Sequence, residues 1–346
     1  MNQKEALDKA IQHAPVLAQK VDKEWILADQ IAPVDFTDGG LKNCAANYNH
    51  LLELPPYDRK ETEPKIYYSV CETTTHYFIF YAVYHVFDWW KYLKPKDLYN
   101  LIRDALDEHV HDMEGALFVV AKKTNYRKEW IDGVVTMAHR HFYLYTEQYL
   151  PPEKKGEDPE RQDKSLYISK FNETVDGHIW LDPMTKRIKL YIQAKGHGLY
   201  GDHKHWGGGH EIWYYTPQGE QIDPRPLNLE KFEDVKEPHR KRKWEITVWK
   251  HYDLEDIFAA NGLWTNRDNP DVFQQHKNGA WGFVYKNEKS GDKEAGAANP
   301  PWSFNDSNDT SPLGEIATDP ARFILRYGQG WGPVSAHYLY NPYLSL

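Results

Sequence analysis

Between residues 66 and 250 one pattern recurs: short runs rich in aromatic and β-branched residues, separated by polar stretches. Ile66-Tyr-Tyr-Ser-Val-Cys71 and His76-Tyr-Phe-Ile-Phe-Tyr-Ala-Val-Tyr-His85 are two such runs, and the four residues between them suit a hairpin connection. Gly115-Ala-Leu-Phe-Val-Val120 is continuously apolar, as a strand buried on both faces is. Val134 to Tyr145, residues 178–181 and 187–194 around Pro183, Glu211 to Tyr215, and Trp244 to Trp249 complete the set of predicted strands. Helical spacing is rarer. Residues 3–20 have a helix-forming composition interrupted by Pro15. In residues 95–108, Leu98, Leu101, Ile102 and Leu106 follow a helical stripe opened by a proline. Asp319-Pro320 opens a short helix over 319–327.

This density of short strands predicts a mainly β protein: a β-sandwich core with flanking helices and long irregular C-terminal loops. The chain shows no repeat, low-complexity tract or clear linker, so residues 1–346 are expected to form a single elaborated domain. Residues 66–250 would form the core, and 251–346 an irregular extension packed on it. Residues 33–50, 151–165 and 286–314 have loop composition.

Composition narrows the function classes. The formal net charge is −9, which argues against a dedicated nucleic-acid binder. The one basic run, His239-Arg-Lys-Arg-Lys243, reads as a solvated loop edge. With 13 Trp, 24 Tyr and 13 Phe, the chain has the aromatic content common in secreted β-proteins and sugar-facing surfaces. It contains no apolar run of the roughly 18 residues a membrane span needs, so no transmembrane segment is expected. Met1 to Trp25 lacks the apolar core of a signal peptide, which fits either a cytoplasmic protein or an exported one whose signal has been cleaved. Cys44 and Cys71 fit one disulfide or two buried thiols.

The densest candidate chemistry lies at residues 109–114, His-Val-His-Asp-Met-Glu, directly before the apolar run. In a strand beginning at Asp112, Asp112 and Glu114 point to one face. A histidine closing over the same point would complete a divalent-cation site. The plainer reading is a strand-entry turn in which Asp caps backbone N–H groups. Three other blocks carry reactive groups at strand ends: Tyr81-Ala-Val-Tyr-His-Val-Phe-Asp88, Ala138-His-Arg-His-Phe-Tyr143, and Tyr191 to Tyr200 with Lys195-Gly-His-Gly. The second reads as two imidazoles on one side of a strand. In the third, flanking glycines leave room for a ligand beside His197. For each histidine, satisfaction by a backbone carbonyl is the competing reading.

In order and content these blocks resemble the necrosis-inducing proteins, cytolysins secreted by plant pathogens, and their wider superfamily of vacuolar-protein-sorting-related and bacterial members. The family carries Gly-His-Arg-His-Asp-Trp-Glu, matched here by His109, His111, Asp112 and Glu114. Its upstream Tyr-x-x-Tyr-x-x-x-Asp is matched by Tyr81, Tyr84 and Asp88, and its Ala-His-Gly-x-Tyr by Ala138, His139 and Tyr143. The resemblance covers residues 66–200, and it implies a β-sandwich flanked by helices. It also implies a divalent cation held by Asp88, His109, Asp112 and Glu114. Such ligands suit calcium or magnesium first and manganese next. The chain departs from the family in Met113 for Trp, in Glu108 for Gly, in a longer spacing from Asp88 to His109, and in its last 150 residues. These departures bear on lysis more than on the cation site.

Two function classes follow. One is a cation-dependent binder of a glycan or a lipid head group, with Trp and Tyr as stacking faces and the Trp206-Gly-Gly-Gly-His210 loop allowing close approach. The other is a metal-dependent hydrolase of a phosphodiester or glycan, in which His111, His139, His141 and His197 are acid/base candidates and Lys195 stabilises oxyanion charge. The expected location is secreted or periplasmic, with the cytoplasm left open.

Overall fold

The computed structural model describes residues 1–22, 29–34, 36, 63–86, 111–146, 175–202, 211–220, 246–286, 290–307, 311–327 and 333–345. The predicted helix at 95–108, Cys44, the basic run at 239–243 and the Trp206–His210 loop lie outside these residues, as do Asp88 and His109.

Helix α1 (Gln3–His13) is opened by a capping box, in which the Asn2 side chain accepts from the Glu5 N–H and the Glu5 carboxylate accepts from the Asn2 N–H. The helix stops at His13, short of the expected residue 20. Pro15 cannot donate the next helical hydrogen bond and drives Ala14 to an extended ψ of 129°. The chain then becomes strand β1 (Val16–Val21), buried along its whole length. Helix-forming composition there gives way to tertiary burial.

The β-segments follow the sequence pattern closely. They are β2 (Lys65–Thr73), β3 (His76–His85), β4 (Asp112–Ala121), β5 (Trp130–Ala138), β6 (His141–Thr146), β7 (Val175–His178), β8 (Lys189–Ile192), β9 (Leu199–Tyr200), β10 (Glu211–Pro217) and β11 (Ile246–Asp256). The segment read as one strand from Val134 to Tyr145 is two, because a tight turn at His139-Arg140 reverses the chain. The strands read at 178–181 and 187–194 do not pair as one ladder. Only Leu181 and Ile188 bridge, while β7 joins β6 and β8 joins β1.

These strands form one sheet in the order β7-β6-β5-β4-β3-β2-β11-β10-β1-β8-β9. The sheet curls over, so that β9, at one end of the order, packs on β4 and β5. The two halves therefore face each other as a sandwich. Period-two alternation sets its interior: Ile79, Tyr81 and Val83 of β3 meet Ala116, Phe118 and Val120 of β4, with Leu17 and Trp213 from the other half. Helix α1 closes one end, where the Tyr81 hydroxyl donates to the Ala10 carbonyl at 2.7 Å.

The alternate residues of β3 and β4 face the other way into a second core, which explains why β4 is apolar without alternation. That core is covered by later chain: a three-stranded sheet of β12 (Phe273–Gln275), β13 (Trp281–Lys286) and β14 (Lys293–Ala295), a 3-10 turn at Pro301–Ser303, and helices α2 (Glu315–Thr318) and α3 (Pro320–Tyr327). The helix expected at 319–327 is α3. Strand β15 (Tyr338–Tyr340) then pairs with the edge of β2. Gly115 lets this layer approach, since a Cβ there would lie 2.5 Å from the Phe80 ring and 2.8 Å from the Phe304 ring. Among the described residues no helix is long and apolar enough to cross a membrane.

Candidate functional site

The interior face of the sandwich is apolar until its last residues, where the same alternation delivers polar groups. In β3, Tyr81 and Val83 are followed by His85; in β4, Asp112 and Glu114 precede Ala116; in β1, Gln19 lies between Leu17 and Val21. The β3–β4 register sets His85 opposite Asp112 and Val83 opposite Glu114. Asp112 and Glu114 thus share a face, as the strand period requires. His197 reaches the same point from the turn between β8 and β9, and Asp29 from the stretch that bridges to His85 through Ile31.

His197 is fully buried between two carboxylates. Its Nδ1 lies 3.0 Å from Asp112 Oδ2 and its Nε2 lies 3.1 Å from Asp29 Oδ1. Burial alone would lower its pKa, but the hydrogen bonds and charges of Asp112 and Asp29 outweigh it and push the pKa up to about 10. The His85 ring stacks on His197 with centroids 3.9 Å apart and 5° between planes. His85 is held well below the ordinary imidazole pKa by burial and then by the His197 charge, so it is neutral at pH 7. One His85 nitrogen meets the Gln19 amide at 2.9 Å, and the other, Nδ1, is buried with no hydrogen-bond partner among the described residues.

His85, Asp112 and His197 each offer a ligand atom, and the three atoms lie within 4.8 Å of one another. With the Gln19 amide turned so that its oxygen, otherwise without a hydrogen-bond partner among the described residues, accepts the His85 Nε2–H, the Nδ1 lone pair of the neutral ring beside Asp112 is a donor set that fits a divalent cation. Such a cation would take nitrogen and oxygen ligands and polarise an oxygen bound to it. At His197 Nδ1 the cluster can hold a proton or a cation, not both. The set is richer in imidazole than the one-histidine set expected from residues 88–114.

The other candidates are distributed around this cluster. Glu114 accepts the His139 N–H at 3.0 Å and so fastens the β5–β6 turn. That turn has φ of 53° at His139 and 64° at Arg140, two consecutive left-handed residues without a glycine, which is costly backbone. The Ser307 N–H donates to the Arg140 carbonyl and secures it from the other side. Lys195 and His197 are left-handed as well, with φ of 77° and 44°. Strained backbone therefore gathers at this end of the sheet. The expected room beside His197 is filled by the chain itself: a Cβ on Gly198 would lie 3.0 Å from both Ala138 Cβ and His139 Nε2. His139 is exposed and meets Gln193 at 3.0 Å. Lys195 pairs with Asp22 at 3.2 Å and donates its N–H to Asp29.

His111 and His141 are engaged elsewhere. The turn splits the two imidazoles expected on one side of a strand: His139 lies within it and His141 opens β6. His111 faces the second core, where its Nδ1 accepts from the Tyr84 hydroxyl at 2.7 Å and its Nε2 donates to the Val284 carbonyl at 3.1 Å. Burial pushes its pKa down to about 4, so both nitrogens are committed to structure at pH 7. His141 lies 3.3 Å from Asp306, whose other oxygen accepts the Phe142 N–H, and this ties β6 to the C-terminal layer. Two residues of the cluster escaped the reading of the sequence. His85 ends a run legible as a strand, but its alignment with Asp112 is set by the pairing of distant strands and not by local pattern. Asp29 carries no local signal.

No family model matches the chain, and no curated protein matches it. Its structural neighbours are necrosis- and ethylene-inducing proteins. Necrosis and Ethylene inducing Protein 2, from the causal agent of cocoa's witches' broom disease, is similar at 18% identity with a TM-score of 0.23, over 42% of this chain and 48% of that one. A protein presented as a toxin fold for microbial attack and plant defence is similar at 14% identity and a TM-score of 0.29, over 58% and 68%. NLPPya in complex with glucosamine is similar at 15% identity and a TM-score of 0.29, over 59% and 68%. The chain thus spans about half the length of the first of these. At such identities and TM-scores the likeness assigns this chain neither a family nor a ligand.

Proposed function

We propose that this protein binds a glycan, or the sugar head group of a lipid, through a divalent cation held by His85, Asp112 and His197. The observation that carries the reading is the convergence of three ligand atoms within 4.8 Å at the polar end of an apolar sandwich. Asp112 has the accessible edge of the cluster, with its side chain 11% exposed while His85 and His197 are closed to solvent. A sugar hydroxyl would approach the cation from that edge. Two imidazoles move the balance away from calcium, which prefers oxygen ligands throughout. Asp88 and His109 remain candidate ligands from the family resemblance, and Glu114 acts through the His139 turn. Residues 1–346 are read as one elaborated domain of an exported protein.

The hydrolase reading is favoured by one feature, the exposed His139 imidazole on a strained turn beside the cluster. It loses His111 and His141, which serve the second core and the C-terminal layer.

The test is calorimetric titration of chelator-stripped protein with Ca²⁺, Mg²⁺, Mn²⁺ and Zn²⁺, followed by glycan-array binding with and without chelator. Binding of one cation per chain, lost in Asp112→Asn and His85→Ala, with glycan retention that chelator abolishes, is the expected result. Retention indifferent to chelator, or no cation bound at all, overturns the proposal. Metal-dependent turnover of a phosphodiester or glycan selects the hydrolase.

A further inference from the structure

At the end of β4 opposite the cation cluster the chain turns into β5 through Lys122-Lys-Thr-Asn-Tyr-Arg-Lys128. Asp112 and Ala121 are the two ends of β4, nine strand steps and so about 30 Å apart at the usual strand rise. This seven-residue tip holds four basic residues and no acid, in a chain whose net charge is −9. At its apex Tyr126 is 99% exposed, more than any other large apolar or aromatic side chain among the described residues.

The tip is built to present these groups. The Thr124 N–H donates to the Arg127 carbonyl at 2.8 Å, and the Thr124 hydroxyl accepts from the N–H groups of Tyr126 and Arg127. The Lys122 N–H donates to Thr75 of the neighbouring turn. Arg127 lies over the Trp130 ring at 5.0 Å and pairs with Asp132. The acids at the base of the hairpin are all occupied: Glu72 by Lys122, Glu129 by Lys9 and His13, and Asp132 by His76 and Arg127. Lys123 and Lys128 have no ion-pair partner among the described residues, and both are exposed beside Tyr126.

We infer that this hairpin tip docks the protein on an anionic lipid surface. Tyr126 enters the interfacial region, where an amphipathic ring is favoured, while Lys123, Arg127 and Lys128 meet the anionic head groups. The tip's shape excludes the other common polyanion. A nucleic acid needs an extended basic track, whereas this surface is a narrow convex apex with acids directly below it. A lipid surface asks only for contact by the apex. With the tip docked, the cation cluster at the other end of β4 faces away from that bilayer, so the two sites can be occupied together. The inference does not rest on the cation-site reading.

The test uses the full chain and co-sedimentation with phosphatidylcholine vesicles, with and without phosphatidylserine. Binding is expected only with phosphatidylserine, weakening as salt is raised and persisting in chelator. Each lysine neutralised, Lys123→Gln or Lys128→Gln, should weaken binding roughly fivefold, and the pair accordingly more. Tyr126→Ala should weaken it several-fold with the salt dependence retained. All three side chains are exposed, so the melting temperature should not move and serves as the folding control. Failure of the wild-type chain to bind phosphatidylserine vesicles overturns the inference. So does binding that the tip variants leave intact, or binding that chelator abolishes, which would place the contact at the cation cluster instead. Cation and glycan binding by the tip variants, measured in parallel, should match wild type.

Discussion

Gly115→Ala tests the packing of the C-terminal layer on the sandwich with a single methyl group. The residue sits in the middle of β4, facing the second core. Its new Cβ would lie 2.5 Å from Phe80 Cζ and 2.8 Å from Phe304 Cε2. Both rings are about 99% buried and lean on each other with centroids 5.8 Å apart, so neither can swing aside freely. Overpacking of this kind costs about 1–3 kcal/mol. The loss of unfolded-state freedom on replacing glycine returns up to about 1 kcal/mol. The net expectation is a destabilisation of about 1–2 kcal/mol, read as a lower urea midpoint at unchanged m-value. Phe304→Leu should destabilise on its own by opening space. Combined with Gly115→Ala it should recover part of the loss, a coupling of about 1 kcal/mol in a double-mutant cycle. Because Glu114 and Ala116 point to the opposite face, cation binding per folded molecule should be unaffected. Two outcomes refute the reasoning: a Gly115→Ala protein as stable as wild type, or strictly additive effects of the two substitutions. Either would mean that Phe304 does not lie over Gly115.

Arg187 donates through Nη1 to the carbonyls of Ile11, Gln12 and Ala14 at 2.9–3.2 Å and through Nε to Glu220, and so caps the C-terminal end of α1. Arg187→Met should cost about 2 kcal/mol by urea denaturation, and an unchanged midpoint would show the cap to be dispensable. Cys71 is a buried free thiol whose pKa burial raises far above the ordinary range, so it should stay unlabelled by an alkylating reagent in native protein and react fully on unfolding. Rapid native labelling of Cys71, identified by peptide mapping, would contradict that burial. Burial lowers the His13 pKa from 6.5, with Glu129 opposing the shift. The folded pKa being the lower, the unfolded chain takes up this proton first, so stability should fall as pH drops through about 6.5. His13→Gln should flatten that part of a melting-temperature profile, and an identical slope in the variant would assign the effect to another group.

Much of this protein is written in local pattern. The strands from Ile66 to Trp249 were legible because aromatic and β-branched runs between polar stretches have few other ways to bury themselves. The face shared by Asp112 and Glu114 follows from the strand period alone. So does the commitment of His197 to a turn, since Lys195-Gly-His-Gly cannot continue a strand. Where local propensity and burial conflict, the pattern misled: Val16 to Val21 is a good helical sequence that becomes a strand because Pro15 ends the helix and the sheet offers an ordered edge on both sides. The His139-Arg140 turn was hidden because it sets two consecutive left-handed residues without a glycine, and Glu114 and Ser307 hold it from either side.

The composition of the site was decided by long-range register. His85 lies opposite Asp112 through antiparallel pairing of strands that the sequence separates by more than twenty residues, and no local rule selects that alignment. Asp29 and His197 meet across 168 residues, and they do so because the sheet curls over and brings its far half back onto β4. The identical local chemistry of His111, His141 and His197 was divided by the same geometry. His111 and His141 were spent on the second core and the C-terminal layer, while His197 was carried to Asp112 and Asp29. Chain pattern determines which faces are apolar and which residues can react. Only the pairing of distant strands determines which of them share a volume small enough to hold one ion.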